Sequence, residues 1–107
     1  MENNLSLVKD TFKELPNNIE AEQAVIGSIL VQNEIFDEIN TVISFINFYD
    51  PMHQKIFTAI ESLIYKGMLA NPITLKNYFE NEKDELNIPE YIMLLILKIA
   101  LGSLSVK

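Results

Sequence analysis

The stretch DPMHQKIFTAIESLIYKG, Asp50 to Gly67, spells out a helix with both of its ends marked. Aspartate is a good cap because its side chain accepts a hydrogen bond from the first free backbone N–H groups. Proline suits the first helical position, where an N–H would have no partner. Between the ends, Ile56, Phe57, Ile60, Leu63 and Ile64 recur at helical spacing and form one apolar face. Gly67 stops the helix, since glycine takes the left-handed terminal conformation without a steric cost.

Toward the C-terminus, Asn71-Pro72 repeats the start signal for a shorter helix to about Asn81, with Ile73, Leu75, Tyr78 and Phe79 as its apolar members. Residues Asn81 to Asn87 are charge-rich and read as a solvated loop, and Pro89 begins a last helix. From Tyr91 to Leu101 every residue but Lys98 is apolar. At about 100° per residue these side chains point in all directions, so this helix is either the centre of the core or half core and half docking surface. Tyr91, Leu94, Leu95 and Ile99 are the candidate partner interface.

Toward the N-terminus, the connector Ser44 to Tyr49 carries Phe45, Ile46, Phe48 and Tyr49, too apolar for full solvation, and is expected to pack down on the core. Before it, a second helix opens at Asn33. Its Ile35, Phe36, Ile39, Val42 and Ile43 fall within an arc of about 120° at helical spacing, with Glu34, Asp37, Glu38 and Asn40 on the other side. The first helix runs from about Ile19 to Val31, with Ala21, Val25 and Ile29 on one face. Pro16 holds Leu15 out of the helical region, and Asn17 or Asn18 supplies the cap. Glu20 and Glu22 fall in its first turn, where carboxylates suit the helix dipole. Ala24, Gly27 and Ser28 are small, and Gly27 reads as a packing notch, because a mid-helix glycine otherwise costs roughly 1 kcal/mol. Met1 to Leu15 reads as a mobile arm. No alternating, turn-bounded strand pattern occurs, so the expected fold over residues 16–107 is an all-α compact bundle of about five to six short helices.

The totals narrow the function. A chain of 107 residues suits one domain. Its basic residues number 8 and are all lysines, against 15 acidic ones, for a net charge of −7. That balance repels a phosphate backbone and an anionic membrane, so neither nucleic acid nor membrane is an expected direct partner. There is no cysteine, which excludes disulfides and thiolate chemistry and fits a cytoplasmic location. The N-terminus lacks the basic start and apolar run of a signal peptide. The apolar run after Tyr91 falls short of the ~20 residues of a membrane span.

Nothing in the chain reads as catalytic. The three glycines, Gly27, Gly67 and Gly102, stand apart, so no phosphate-cradling loop is encoded, and no cofactor or metal is expected in this chain. His53, the sole histidine, has no second histidine or cysteine to complete a metal site and is expected to fix the Phe48-Tyr49 connector against its helix. Glu20/Glu22, Asp37/Glu38 and Asp84/Glu85 lie at spacings that do not converge on a helix and are expected on a solvated surface. Phe36, Phe48, Tyr49, Phe57 and Phe79 are expected in the core, since a base-stacking platform would need basic neighbours.

Leu15-Pro16-Asn17-Asn18-Ile19-Glu20-Ala21-Glu22-Gln23-Ala24-Val25-Ile26-Gly27-Ser28-Ile29-Leu30 resembles the opening signature of the DnaB-type bacterial replicative DNA helicase. Phe48-Tyr49, His53, Ile56, Phe57, Gly67, Ile73-Thr74-Leu75 and Tyr91 follow in the order and approximate spacing of that family's N-terminal domain. The similarity covers Leu15 to about Leu95, and Glu20, Glu22, Gln23, Ala24, Gly27, Phe48, Tyr49 and His53 are its signature positions, read as mainly structural.

The resemblance implies a helical collar domain of a hexameric, ATP-driven helicase. It would contribute to self-association as a dimer or hexamer and to docking of primase and, in some bacteria, of a helicase loader. ATP and magnesium would belong to a C-terminal motor domain. Two departures stand out: the chain ends at Lys107, before the helical hairpin by which the family domain pairs with a neighbour, and the Ile92 to Leu97 run is more apolar than is usual there. The alternative is a freestanding helical adaptor or a truncated helicase paralogue that binds another protein.

Overall fold

A computed structural model describes residues 18–81 together with 90, 91, 93–95 and 97. The arm expected over Met1 to Leu15, the Pro16-Asn17 punctuation, the loop after Asn81, the Pro89 start and Ile99 lie outside the described residues. Four helices have defined bounds: α1 (Ile19–Val31), α2 (Phe36–Asn40), α3 (Pro51–Tyr65) and α4 (Pro72–Asn81). Short 3-10 turns at Asn33–Ile35 and Phe45–Asn47 interrupt the connections. Glu90, Tyr91, Met93, Leu94, Leu95 and Leu97 are helical as well. No strand occurs among the described residues, so the all-α reading holds.

The helix ends are set by local chemistry. The Asn18 side chain accepts the Ala21 N–H at 3.0 Å and starts α1. Asp50 accepts the Met52 N–H at 2.8 Å with Pro51 as the first helical residue of α3. Asn71 Oδ1 accepts the N–H groups of Ile73 and Thr74, both at 2.9 Å, at the head of α4. After α3, Gly67 has φ 79°, its N–H reaches the Ile64 carbonyl at 2.9 Å, and the Met68 N–H reaches the Leu63 carbonyl at 3.0 Å. This paired arrangement closes the last turn and requires a left-handed residue at its centre.

Where local signals ran out, the structure departs from the expected elements. The amphipathic segment from Asn33 does not continue through Ile43 as one helix. After Asn40 the Thr41 hydroxyl donates to the Glu38 carbonyl at 2.6 Å, competing with the helical ladder, and Ser44 is extended. The chain turns, Ile43 stays buried and Val42 faces out. The connector that follows sends only Phe48 inward; Phe45, Ile46 and Tyr49 are exposed, because the 3-10 turn rotates successive side chains away from a single face. Tyr49 is thus not a core aromatic. Ile73 is also exposed, leaving Leu75 and Phe79 as the buried members of α4.

The core is built on Phe57, whose ring lies 5.4 Å from that of Phe36 and 5.1 Å from that of Phe48, in tilted contacts that suit aromatic quadrupoles. Ile26, Ile29, Ile39, Ile56, Ile60 and Leu75 fill the space around these rings. Asn33 ties the ends of the bundle together. Its Oδ1 accepts the Ala70 N–H at 2.7 Å, and its Nδ2 donates to the carbonyls of Ala70 at 3.0 Å and Ile29 at 2.8 Å. One side-chain amide therefore serves both the last turn of α1 and the buried Ala70 of the loop between α3 and α4.

Candidate functional site

Glu22 sits one turn into α1 and is fully buried, as is His53 in the first turn of α3. The Asp50-Pro51 start of α3 brings His53 beneath α1, and its Nδ1 lies 2.7 Å from Glu22 Oε1. On the other side of the ring, Nε2 lies 2.5 Å from the Tyr91 hydroxyl, and the two rings stack at 5.6 Å. Gln23 Nε2 donates to the same hydroxyl at 2.8 Å. The Glu22 carboxylate also receives two backbone donors from the connector, the N–H of Tyr49 on Oε2 at 2.6 Å and that of Asp50 on Oε1 at 3.3 Å.

One assignment of protons satisfies every member. His53 Nδ1 carries a hydrogen and donates to Glu22, while Nε2 accepts from the Tyr91 hydroxyl and Gln23 donates to the Tyr91 oxygen. Burial pushes the Tyr91 phenol above its ordinary value. The Gln23 hydrogen bond lowers it by less than burial raises it, and the negative charges of Asp50 and Glu22 add to the rise. The phenol is therefore held protonated as a donor. A carboxylate, histidine and hydroxyl in line look like the parts of a nucleophilic relay. A relay, however, needs its hydroxyl to face a substrate. Here the Tyr91 hydroxyl is bonded to His53 and Gln23, and no buried polar side-chain atom among the described residues lacks a partner. The network locks α1, the connector, α3 and the last helical segment together.

These contacts revise the expected placement of Glu22. It was expected with Glu20 on a solvated face, yet only Glu20 is exposed. Burial is tolerated because the carboxylate meets a histidine and two N–H groups, which replace the hydration it loses. His53 does fix the connector as expected, and it does so through Glu22 and the Phe48 ring, which meets the imidazole edge-on at 6.4 Å. Gln23 is half-buried, Ala24 exposed, and Gly27 and Phe48 buried. Tyr49 is exposed at its ring and bound through its backbone.

The candidate interface splits. Leu95 is buried in the core and Tyr91 is half-buried on His53, so neither forms a free docking face; Leu94 is exposed together with Met93 and Leu97. Tyr91 and Leu95 are one helical turn apart, and this spacing turns both toward the bundle. Sequence reasoning missed the convergence of Glu22, Gln23, His53 and Tyr91 because pairings 31, 38 and 68 residues apart leave no periodic trace. Among the described residues no group of three or more candidate metal ligands converges.

Residues 14–103 match the sequence profile of the DnaB-like helicase N-terminal domain. The replicative DNA helicase DnaB of Rickettsia felis is 38% identical over 84 residues, covering 77% of this chain and 17% of that protein. Its counterpart from Buchnera aphidicola subsp. Baizongia pistaciae is 37% identical over 79 residues, covering 74% of this chain and 17% of that protein. The Pasteurella multocida protein of the same name is 37% identical over 65 residues, or 61% of this chain and 13% of that protein. The chain thus spans a small fraction of the length of the curated relatives it matches. No solved structure matches it. With the profile covering most of the chain and the Ile19 to Leu30 part of the signature folded as α1 around the Glu22 network, the chain belongs to the DnaB-like helicase N-terminal domain family.

Proposed function

We propose that this chain serves as the collar and protein-docking domain of a replicative DNA helicase. In this reading it contributes to hexamer assembly and to docking of primase or a helicase loader in the cytoplasm, while ATP hydrolysis and strand separation belong to a motor domain outside these residues. The observation that carries the reading is the family match over residues 14–103, together with the 84-residue alignment that covers only 17% of the Rickettsia felis helicase. The polar network supports it, because its groups are spent on holding helices together rather than on substrate. No helix among the described residues is long and apolar enough to cross a membrane.

Two measurements test the proposal. Purified chain should bind an immobilised primase helical domain and should show no ATP turnover above background. Absence of primase binding at high micromolar concentration, with the chain shown to be folded, would favour a freestanding adaptor with some other partner. ATP turnover that copurifies with the chain would overturn the division of labour.

A further inference from the structure

Val42, Phe45, Ile46 and Tyr49 are 41%, 44%, 68% and 61% exposed within residues 42–49. Their backbone is held in place. Asn47 Oδ1 accepts the Ser44 N–H at 2.8 Å, Gln54 Nε2 donates to the Phe48 carbonyl at 2.6 Å, and Glu22 holds the N–H groups of Tyr49 and Asp50. The buried Phe48 ring anchors the middle of the segment against Phe57. Scattered exposed apolar side chains are ordinary on a protein surface. Four on a pinned backbone can meet a partner with little loss of backbone freedom.

The charges around this ridge select the occupant. Residues 18–54 contain Glu20, Glu22, Glu34, Asp37, Glu38 and Asp50 and no lysine or arginine. The cations of the described region, Lys55, Lys66 and Lys76, all come later in the chain. Glu34, Asp37 and Glu38 are exposed on the 3-10 turn and on α2, which lead directly into the ridge. A second copy presenting the same segment, a nucleic acid or an anionic bilayer would each bring like charge against residues 18–54.

We propose that the Val42–Tyr49 ridge docks a basic amphipathic helical segment of another protein, with apolar side chains over Phe45, Ile46 and Tyr49 and lysines or arginines toward Glu34, Asp37 and Glu38. The inference deepens the protein-docking reading above and rests on it for the class of partner. A synthetic amphipathic Leu/Lys peptide is the probe, with a Leu/Glu peptide of the same apolar pattern as its counterpart. Both are titrated into the full chain by fluorescence anisotropy, with backbone amide shifts mapped by NMR.

The Leu/Lys peptide should bind at least about tenfold more tightly than the Leu/Glu peptide, with shifts centred on residues 42–49. Phe45→Ser combined with Ile46→Ser should weaken it by about tenfold or more while leaving the melting temperature unchanged, and Leu94→Ser should leave binding as it was. Equal binding of the two peptides, no binding, or shifts centred on Met93, Leu94 and Leu97 would overturn the proposal. A dimer dissociated by the double variant would also overturn it, by giving the ridge to a second copy. The two readings fail separately. A double variant that binds the primase domain like the wild type removes this ridge and leaves the docking function. Wild-type chain that ignores the primase domain but takes the Leu/Lys peptide on residues 42–49 does the reverse.

Discussion

Glu22 shows how far a single side chain can depart from its local pattern. Its position in the first turn of α1 explains why a carboxylate is comfortable there, but the decisive partners, His53 and the N–H groups of Tyr49 and Asp50, come from α3 and the connector. Glu22→Leu leaves those donors buried without an acceptor and should cost about 3 kcal/mol in a urea titration, the usual scale for removing one member of a buried pair. Tyr91 adds a dependence on pH. Its phenol is raised in the folded state, so the stability it contributes is fully present below the ordinary tyrosine value of about 10 and is lost as pH rises through the higher folded value. Melting temperatures taken across the alkaline range should therefore fall in the wild type, and Tyr91→Phe should remove part of that fall. An unchanged slope in the variant would place the alkaline loss elsewhere.

At the level of elements, the helix starts and stops were legible because each is written by two or three adjacent residues. Asn18, Asp50-Pro51, Asn71-Pro72 and Gly67 all act as read. Gly67 has open space where a Cβ would be added, so Gly67→Ala tests backbone strain alone and should cost about 1 kcal/mol at φ 79°. Asn33 was read only as the opening of a helix. Its clamp on Ala70 spans 37 residues and serves a buried N–H, so Asn33→Ala should cost about 2 kcal/mol, more than an exposed cap would. The early end of α2 was hidden for the same reason: hydrophobic spacing through Val42 and Ile43 suggested one continuous helix, while Thr41 and the extended Ser44 ended it. Hydrogen exchange should accordingly protect the amide of Ile39 more than that of Val42.

For the molecule as a whole, composition and periodicity gave the all-α class, and the signature residues gave the family. What they could not give is which apolar residues stay in water, since that depends on how elements turn once they meet. Phe45, Ile46 and Tyr49 were expected inside and are exposed, while Leu95, on the helix read as either core or docking surface, is buried. The exposed apolar residues also make solubility depend on charge. At neutral pH the net charge of −7 keeps copies apart, whereas near the isoelectric point of about 4.5 that repulsion vanishes. Light scattering across the acid range should show greatest association close to that pH, and Phe45→Ser with Ile46→Ser should reduce it.

Three members of the network, Glu22, His53 and Tyr91, enter the chain far apart. During synthesis the first two can meet as soon as α3 has left the ribosome, but the second ring nitrogen of His53 has no donor until Tyr91 follows. Contacts of such long sequence separation form late, after the nearer ones have closed their loops. Tyr91→Phe should therefore speed unfolding and leave the refolding rate nearly untouched, the signature of a bond made on the downhill side of the barrier. The last helical segment acts as a closing latch, and a nascent chain that stops short of it holds a nearly finished bundle with one buried nitrogen still waiting for its proton donor.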